Sequence, residues 1–247
     1  MPGIVICGEG LNDLYYDELG GQSGPLKICL DKLLEFFWDD ASYINFFPVS
    51  RAKLADTEKG KPEKRTSIVR GLKKDIPDAK YVSICAKLLA KIAQEKSVEF
   101  GDDWGVVFFR DLDASSGNDV DKVYKAKVAA MDEGFASVQF ENGVPMIPKT
   151  RSESWLLCAL KPSKAAANHY YEYLPMSDKS PNSGKKILAK ELGVNEDESY
   201  KVIYERIDDF CWEQIKAESF VAFMNRFKAM SGKILGFGVK YDPVGNF

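Results

Sequence analysis

The run Gly105-Val106-Val107-Phe108-Phe109 constrains the fold more than any other segment, because it is apolar without alternation. A strand with one wet face alternates polar and apolar residues. A strand that does not alternate is covered on both faces, the usual situation in a parallel sheet sandwiched between helices. The neighbouring segments agree. Gly3-Ile4-Val5-Ile6-Cys7 is a second short apolar run, rich in β-branched residues and stopped by Gly8-Glu9-Gly10. Residues 43–49 read as another strand, Phe135–Phe140 alternates like a further one, and Val144–Ile147 is a short apolar run. Helical spacing separates them at 26–38, 78–95 and 119–133. A last helix is expected over Ser152–Leu160, with Ser152 as N-cap and Glu153 in its first turn. Strands alternating with helices predict an α/β domain over residues 1–160, its sheet mostly parallel and flanked by helices. Beyond it, Pro162, Pro175, Pro181 and Gly184 break up a region with helices expected at 184–192, 197–214 and 217–230. Residues 161–247 thus read as a helical C-terminal extension packed on the α/β domain.

Composition narrows the chemistry. The chain of 247 residues has one histidine, His169, which is too few for the paired imidazoles of a HExxH zinc site. Acid/base and metal chemistry would therefore rest mainly on carboxylates, lysines and water. The five cysteines, at positions 7, 29, 85, 158 and 211, never form a CxxC pair, and four lie in apolar stretches where a thiol behaves as a small hydrophobe. No stretch approaches the ~20 apolar residues of a membrane span, and the expected home is a reducing cytoplasm.

Carboxylates stand where an α/β sheet places its ligands, beyond the carboxyl ends of parallel strands. Glu9 follows the first apolar run, Asp111 and Asp113 follow the run 105–109, and Glu153 opens the helix after 144–147. On an extended segment, Asp111 and Asp113 would point to one side and Leu112 to the other. Several hard oxygen donors converging on one crevice make a magnesium or manganese site, and such ions support phosphodiester hydrolysis without imidazole. Each element has a plainer explanation. Asp-x-Asp arises often by chance, and a glutamate in a first helical turn is favoured by the helix dipole alone.

Residues 51–74 carry nine Lys/Arg and three acidic residues. This basic loop is either a phosphate-covering segment, with Lys64, Arg65 and Arg70 as its contacts, or a solvated surface. With a net charge of −3, the chain as a whole exerts no pull on nucleic acid, so a local patch or a partner would have to supply the grip.

Gly8-Glu9-Gly10-Leu11-Asn12-Asp13 after a strand, followed by the Asp111/Asp113 pair, resembles a toprim domain. The pattern is closer to small bacterial toprim-like proteins of unknown function, near the overcoming-lysogenization-defect nucleases. Pro148–Leu157, Glu205–Asp208 and Glu218–Phe223 extend the resemblance towards the C-terminus. It implies a metal-dependent nuclease in anti-phage or mobile-element defence, acting on DNA with an ATPase partner and able to self-associate. By that resemblance Glu9 is a metal ligand or general base, Asp111 and Asp113 hold magnesium or manganese, and Glu153 and Asp13 are additional ligands. Lys149 or Arg151 would stabilise charge on the scissile phosphate, and Arg151 would also contact nucleic acid.

Rival readings remain. A dinucleotide fingerprint lacks its third glycine, since Asp13 stands there. A phosphatase with Asp111 as nucleophile would normally place its motif after the first strand. A glycosyltransferase reading leaves Glu9 unexplained. A non-catalytic subunit could dock a partner through Phe210, Trp212, Phe220, Phe223, Met224 and Phe227.

Overall fold

A computed structural model describes residues 1–8, 14, 23–38, 43–50, 54, 78–113, 119–161 and 165–237. Four strands form one parallel sheet: β1 (Gly3–Cys7), β2 (Asn45–Pro48), β3 (Trp104–Phe109) and β4 (Gly143–Met146), in the order β2-β1-β3-β4. Helices α1 (Pro25–Phe37), α2 (Ala79–Phe100) and α3 (Val120–Ala136) make the crossovers. After β4 come α4 (Ser152–Leu160), α5 (Ala165–Tyr171), α6 (Gly184–Leu192), α7 (Ser199–Glu205) and α8 (Glu218–Ile234). The chain steps from β1 to β2 on one side, then returns past β1 to β3. The β1/β3 junction is therefore the topological switch point, where open α/β sheets collect ligands.

The strands divide their side chains as the pleat requires. Ile4, Ile6, Val107, Phe109, Val144 and Met146 join one apolar core with α1, α4 and α8, whereas Val5, Cys7, Val106 and Phe108 join a second with α2 and α3. Both faces are dry, which is why β3 carries no polar position.

Two glycines permit this close packing. A Cβ at Gly134 would collide with the carbonyl oxygen of Ser83, so α2 and α3 can touch only without one; at Gly105 it would meet the Met230 sulfur of α8. Trp155 on α4 is wholly buried, donates to Ser219 Oγ at 2.9 Å and packs edge-on against Phe220, with ring centroids 5.0 Å apart.

The expected strand at Phe135–Phe140 is instead a helix end. Phe140 N–H bonds the Phe135 carbonyl and Gln139 N–H bonds that of Ala136, while Gln139 takes a left-handed φ of 55°. This is the Schellman closure of α3, and its hydrophobic contact is the Phe135–Phe140 ring pair at 6.3 Å. Within the turn, Ser137-Val138-Gln139-Phe140 alternates polar and apolar residues, which imitates a strand. The expected helix over 197–214 is broken as well: α7 ends at Glu205, and 3-10 turns at Ile207–Asp209 and Trp212–Gln214 follow.

The C-terminal extension shares the first core with the sheet rather than standing beside it. Phe210, Trp212, Phe220, Phe223 and Phe227 are all buried, and Met224 partly so. Their aromatic surface is spent inside the chain, which removes it as a docking face. Cys7, Cys29, Cys85 and Cys158 are buried free thiols and Cys211 is half-buried. Burial pushes Cys158 up to about 12, so it is protonated and inert at neutral pH. No helix among the described residues is long and apolar enough to cross a membrane.

Candidate functional site

The register pairs Cys7 with Phe108, so β1 and β3 finish side by side at the switch point. From the end of β3 the chain continues through Arg110 to Asp111. The segment is pinned on three sides. Arg110 N–H bonds the Met146 carbonyl, Leu112 N–H bonds that of Thr150, and Lys127 Nζ donates to the Asp111 carbonyl oxygen at 3.0 Å. Leu112 is fully buried and anchors the turn from below.

Asp111 Oδ1 accepts from Ser152 N–H at 3.0 Å, the first residue of α4. This corrects the expected cap. Arg151, not Ser152, holds the N-cap position of α4, and it makes no side-chain cap. The carboxylate that satisfies an orphan N–H of this helix comes instead from the end of β3. Asp111 is thus held at a helix N-terminus, where the dipole favours its charge. The arrangement orients the carboxylate.

Asp113 departs from the extended geometry that would align it with Asp111. Its φ is 48°, in the left-handed region, and its side chain is exposed. Glu153, on the first turn of α4, is only 3 % exposed. Burial pushes its carboxyl above the usual range, against the opposing pull of its own backbone N–H and the charges of Lys185 and Arg151. A carboxyl with a raised folded-state pKa holds its proton longer in the native chain, so stability falls as pH rises through that window. Glu153→Gln is therefore expected to raise the melting midpoint at pH 7 and to flatten its decline above pH ~4.5. Thermal melts across pH check this, and an unchanged profile would mean that the carboxyl is not desolvated.

Lys149 and Arg151 are both engaged within the chain. Lys149, 1 % exposed, bonds Asp121 at 2.7 Å, Glu218 at 2.6 Å and the Tyr173 hydroxyl at 2.9 Å. Burial alone would lower its pKa, but these three partners outweigh it and hold the ammonium well above its ordinary value. Its charge ties α3, the α5 end and α8 together and is not aimed at open space. Arg151 pairs with Asp178.

Glu9, Asp13, Lys64, Arg65 and Arg70 lie outside the described residues. Among the described residues, no three of His, Cys, Asp and Glu gather closely enough to hold a metal ion. The donor chemistry of Asp111 and Asp113 suits magnesium or manganese; a full ligand set would need Glu9 or Asp13 as well. His169 is exposed beside the Tyr173 ring, 4.9 Å away, and takes no part.

Sequence reasoning missed Lys127. It is fully buried, on the α3 stripe that includes Val123, Ala130, Met131 and Gly134. A lysine at a core position of an otherwise apolar stripe was the available signal, because a buried ammonium must be compensated. The acceptor role of Asp111 towards Ser152 was not readable, since it joins residues 41 apart. A cleft of about 630 Å³ opens at the opposite, amino end of the sheet, among Asn142, Gly143, Arg226, Met230 and Lys233. It includes none of the expected site residues, and its cations are paired to Asp132 and Glu141.

No family model, curated protein or solved structure matches this chain. The fold and the site define a class by themselves: a doubly wound, all-parallel α/β protein with an aspartate fixed at its switch point.

Proposed function

We propose that the protein is a toprim-like, divalent-metal-dependent nuclease that cleaves phosphodiester bonds, with Asp111 as its central carboxylate. The observation that carries this reading is the placement of Asp111. It sits at the carboxyl end of β3, at the β1/β3 switch point, with one oxygen fixed by the N-terminus of α4. A magnesium or manganese ion, when bound, would supply charge stabilisation on the phosphoryl oxygen and an acidified water. Asp111 and Asp113 would hold it together with Glu9 and Asp13, and Glu153 would join as a further oxygen donor. Lys127 and the α4 N-terminus keep Asp111 in place. Lys149, committed to three partners, acts by fixing the loop before α4 and not by touching phosphate. DNA is the proposed substrate, in cytoplasmic defence against phage or mobile DNA. The low net charge favours an ATPase partner, or residues 51–74, as the additional hold on it, and self-association would serve the same end.

A second reading draws on the same bond. If the Asp111–Ser152 contact is purely structural, the chain is a non-catalytic, partner-binding subunit. Incubating the purified chain with supercoiled plasmid and labelled oligonucleotides, with magnesium or manganese, separates the two. Metal-dependent, chelator-sensitive nicking supports the nuclease. Co-purification with a partner and no cleavage under any metal, even with that partner added, would reject it. Phosphate trapped covalently on Asp111 would point instead to the phosphatase.

A further inference from the structure

The cleft at the amino end of the sheet, about 630 Å³, is of the size that takes a small molecule. One wall is α8, and the other is the start of β4 with the side of α3. Two ion pairs cross between the walls. Arg226 of α8 bonds both oxygens of Asp132 on α3, at 2.8 and 3.1 Å. Lys233 of α8 bonds Glu141, just before β4, at 2.9 Å. Arg226 and Lys233 stand two helical turns apart, about 10 Å along the axis. The apolar lining consists of Val144, Ala229, Met230 and Phe237. The four charged groups are thus matched to one another, so a ligand with a net charge would meet repulsion as well as attraction.

Two further groups in this lining point to an occupant. Asn142 donates Nδ2–H to the Trp104 carbonyl at 3.3 Å, which fixes the amide and makes Oδ1 its other end. That Oδ1 is buried and accepts no hydrogen bond from any described residue. A buried acceptor without a donor is uncommon and costly. Phe237 rests one face on the Trp38 ring, 5.2 Å away and nearly parallel, and is still 47 % exposed. Trp38 is itself fixed by its Nε1–H bond to Ser231 Oγ at 2.9 Å. The cleft therefore combines a backed aromatic ring with an acceptor that lacks a donor.

Both features suit one kind of occupant: a flat, uncharged ring that stacks on Phe237 and carries an N–H for Asn142 Oδ1. Nucleobases have both properties. The carboxylates of Asp132 and Glu141 disfavour phosphate groups, which favours a free nucleoside over a nucleotide or a strand of nucleic acid. We propose that this cleft binds an uncharged nucleoside, held by stacking on Phe237 and by a hydrogen bond to Asn142 Oδ1. Its acids and bases are paired, so it offers binding and not acid/base chemistry. It lies at the opposite end of the sheet from Asp111 and does not depend on the nuclease reading.

Calorimetric titration of the full chain with adenosine, guanosine, cytidine and uridine tests the site. At least one is expected to bind with a dissociation constant on the order of 0.1 mM, ordinary for a ligand of that size. Its 5′-monophosphate should bind no more tightly. Phe237→Ala should weaken binding about tenfold through loss of the stack, and Phe237→Trp should not. Asn142→Leu should weaken it by a similar factor. Ala229→Trp, at a half-exposed position of α8, should fill the cleft and abolish binding while the melting midpoint stays unchanged. Failure of all four nucleosides to bind would overturn the proposal. So would binding that survives both Ala229→Trp and Phe237→Ala, or a monophosphate that binds tenfold more tightly than its nucleoside. A single-stranded oligonucleotide that outcompetes the nucleoside would assign the cleft to nucleic acid and overturn it equally.

Discussion

Asp111→Asn is expected to abolish metal-dependent cleavage, by three orders of magnitude or more, while the protein melts within a few degrees of the wild type. The asparagine carbonyl can still accept from Ser152 N–H, so the tie to α4 survives. What disappears is the negative charge that a hard cation requires. Asp111→Ala separates the two duties of this carboxylate. It should be equally inactive and also less stable by about 1 kcal/mol, the usual cost of deleting a helix-capping acceptor. Plasmid nicking with manganese, set beside denaturant melts of both variants, reads the two effects independently. Equal cleavage by wild type and Asp111→Asn would end the catalytic assignment. A loss of activity only in the alanine variant would show that the contact with α4, and not the charge, is what matters.

Lys149→Met should cause the largest loss of stability of any single charged substitution proposed for this chain, about 3 kcal/mol. The ammonium is almost fully buried, and its removal leaves Asp121, Glu218 and the Tyr173 hydroxyl without their shared donor. The figure sits at the low end for a broken buried pair because the Asp121 and Glu218 side chains are 45 % and 73 % exposed and water can reclaim them. The pH dependence follows from the two directions of shift. The hydrogen bond from Lys149 holds the Asp121 carboxyl below the usual range, despite some burial. Its stabilisation is present above pH ~3.9 and lost as pH falls through the lowered value. Lys149 is shifted upward, so its contribution is complete below pH ~10.4 and fades only beyond that. The wild type should therefore hold this part of its stability between those limits, and Lys149→Met should lack it throughout. Urea melts at pH 3, 7 and 10 measure it. A variant as stable as the wild type at pH 7 would mean that the cluster is dispensable.

How much of this was legible beforehand depends on how local the signal is. β1, β2, β3 and β4 were visible as apolar runs, and α1 to α4 as helical periods, because each reports burial along its own few residues. The Schellman turn at Phe135–Phe140 misled, since Ser137-Val138-Gln139-Phe140 alternates exposed polar with half-buried or buried apolar residues inside the turn, as a half-buried strand does. Position also read correctly for Asp111, which needed only a strand end. Its orientation did not. Ser152 and Lys127 reach it from other elements, and no spacing rule links residues so far apart. Asp113 shows a different limit: one left-handed residue cancels an argument from strand alternation, and an aspartate tolerates that conformation well enough to give no warning. Lys149 and Arg151 looked like open cations because their partners Asp121, Glu218 and Asp178 lie elsewhere in the chain.

The way α8 completes the first core bears on how the chain comes to fold during synthesis. Ile4 and Ile6 emerge before the other residues of their core, whereas Phe220, Phe223 and Phe227 are among the last described residues made. Until then Val107, Phe109, Val144 and Met146 lack part of their cover, while the opposite face already has α2 and α3. The nascent protein passes through a stage with one face finished and the other adhesive, the condition in which multi-element chains aggregate or recruit chaperones. A reading frame cut short before α8 would leave the cell holding that stage permanently.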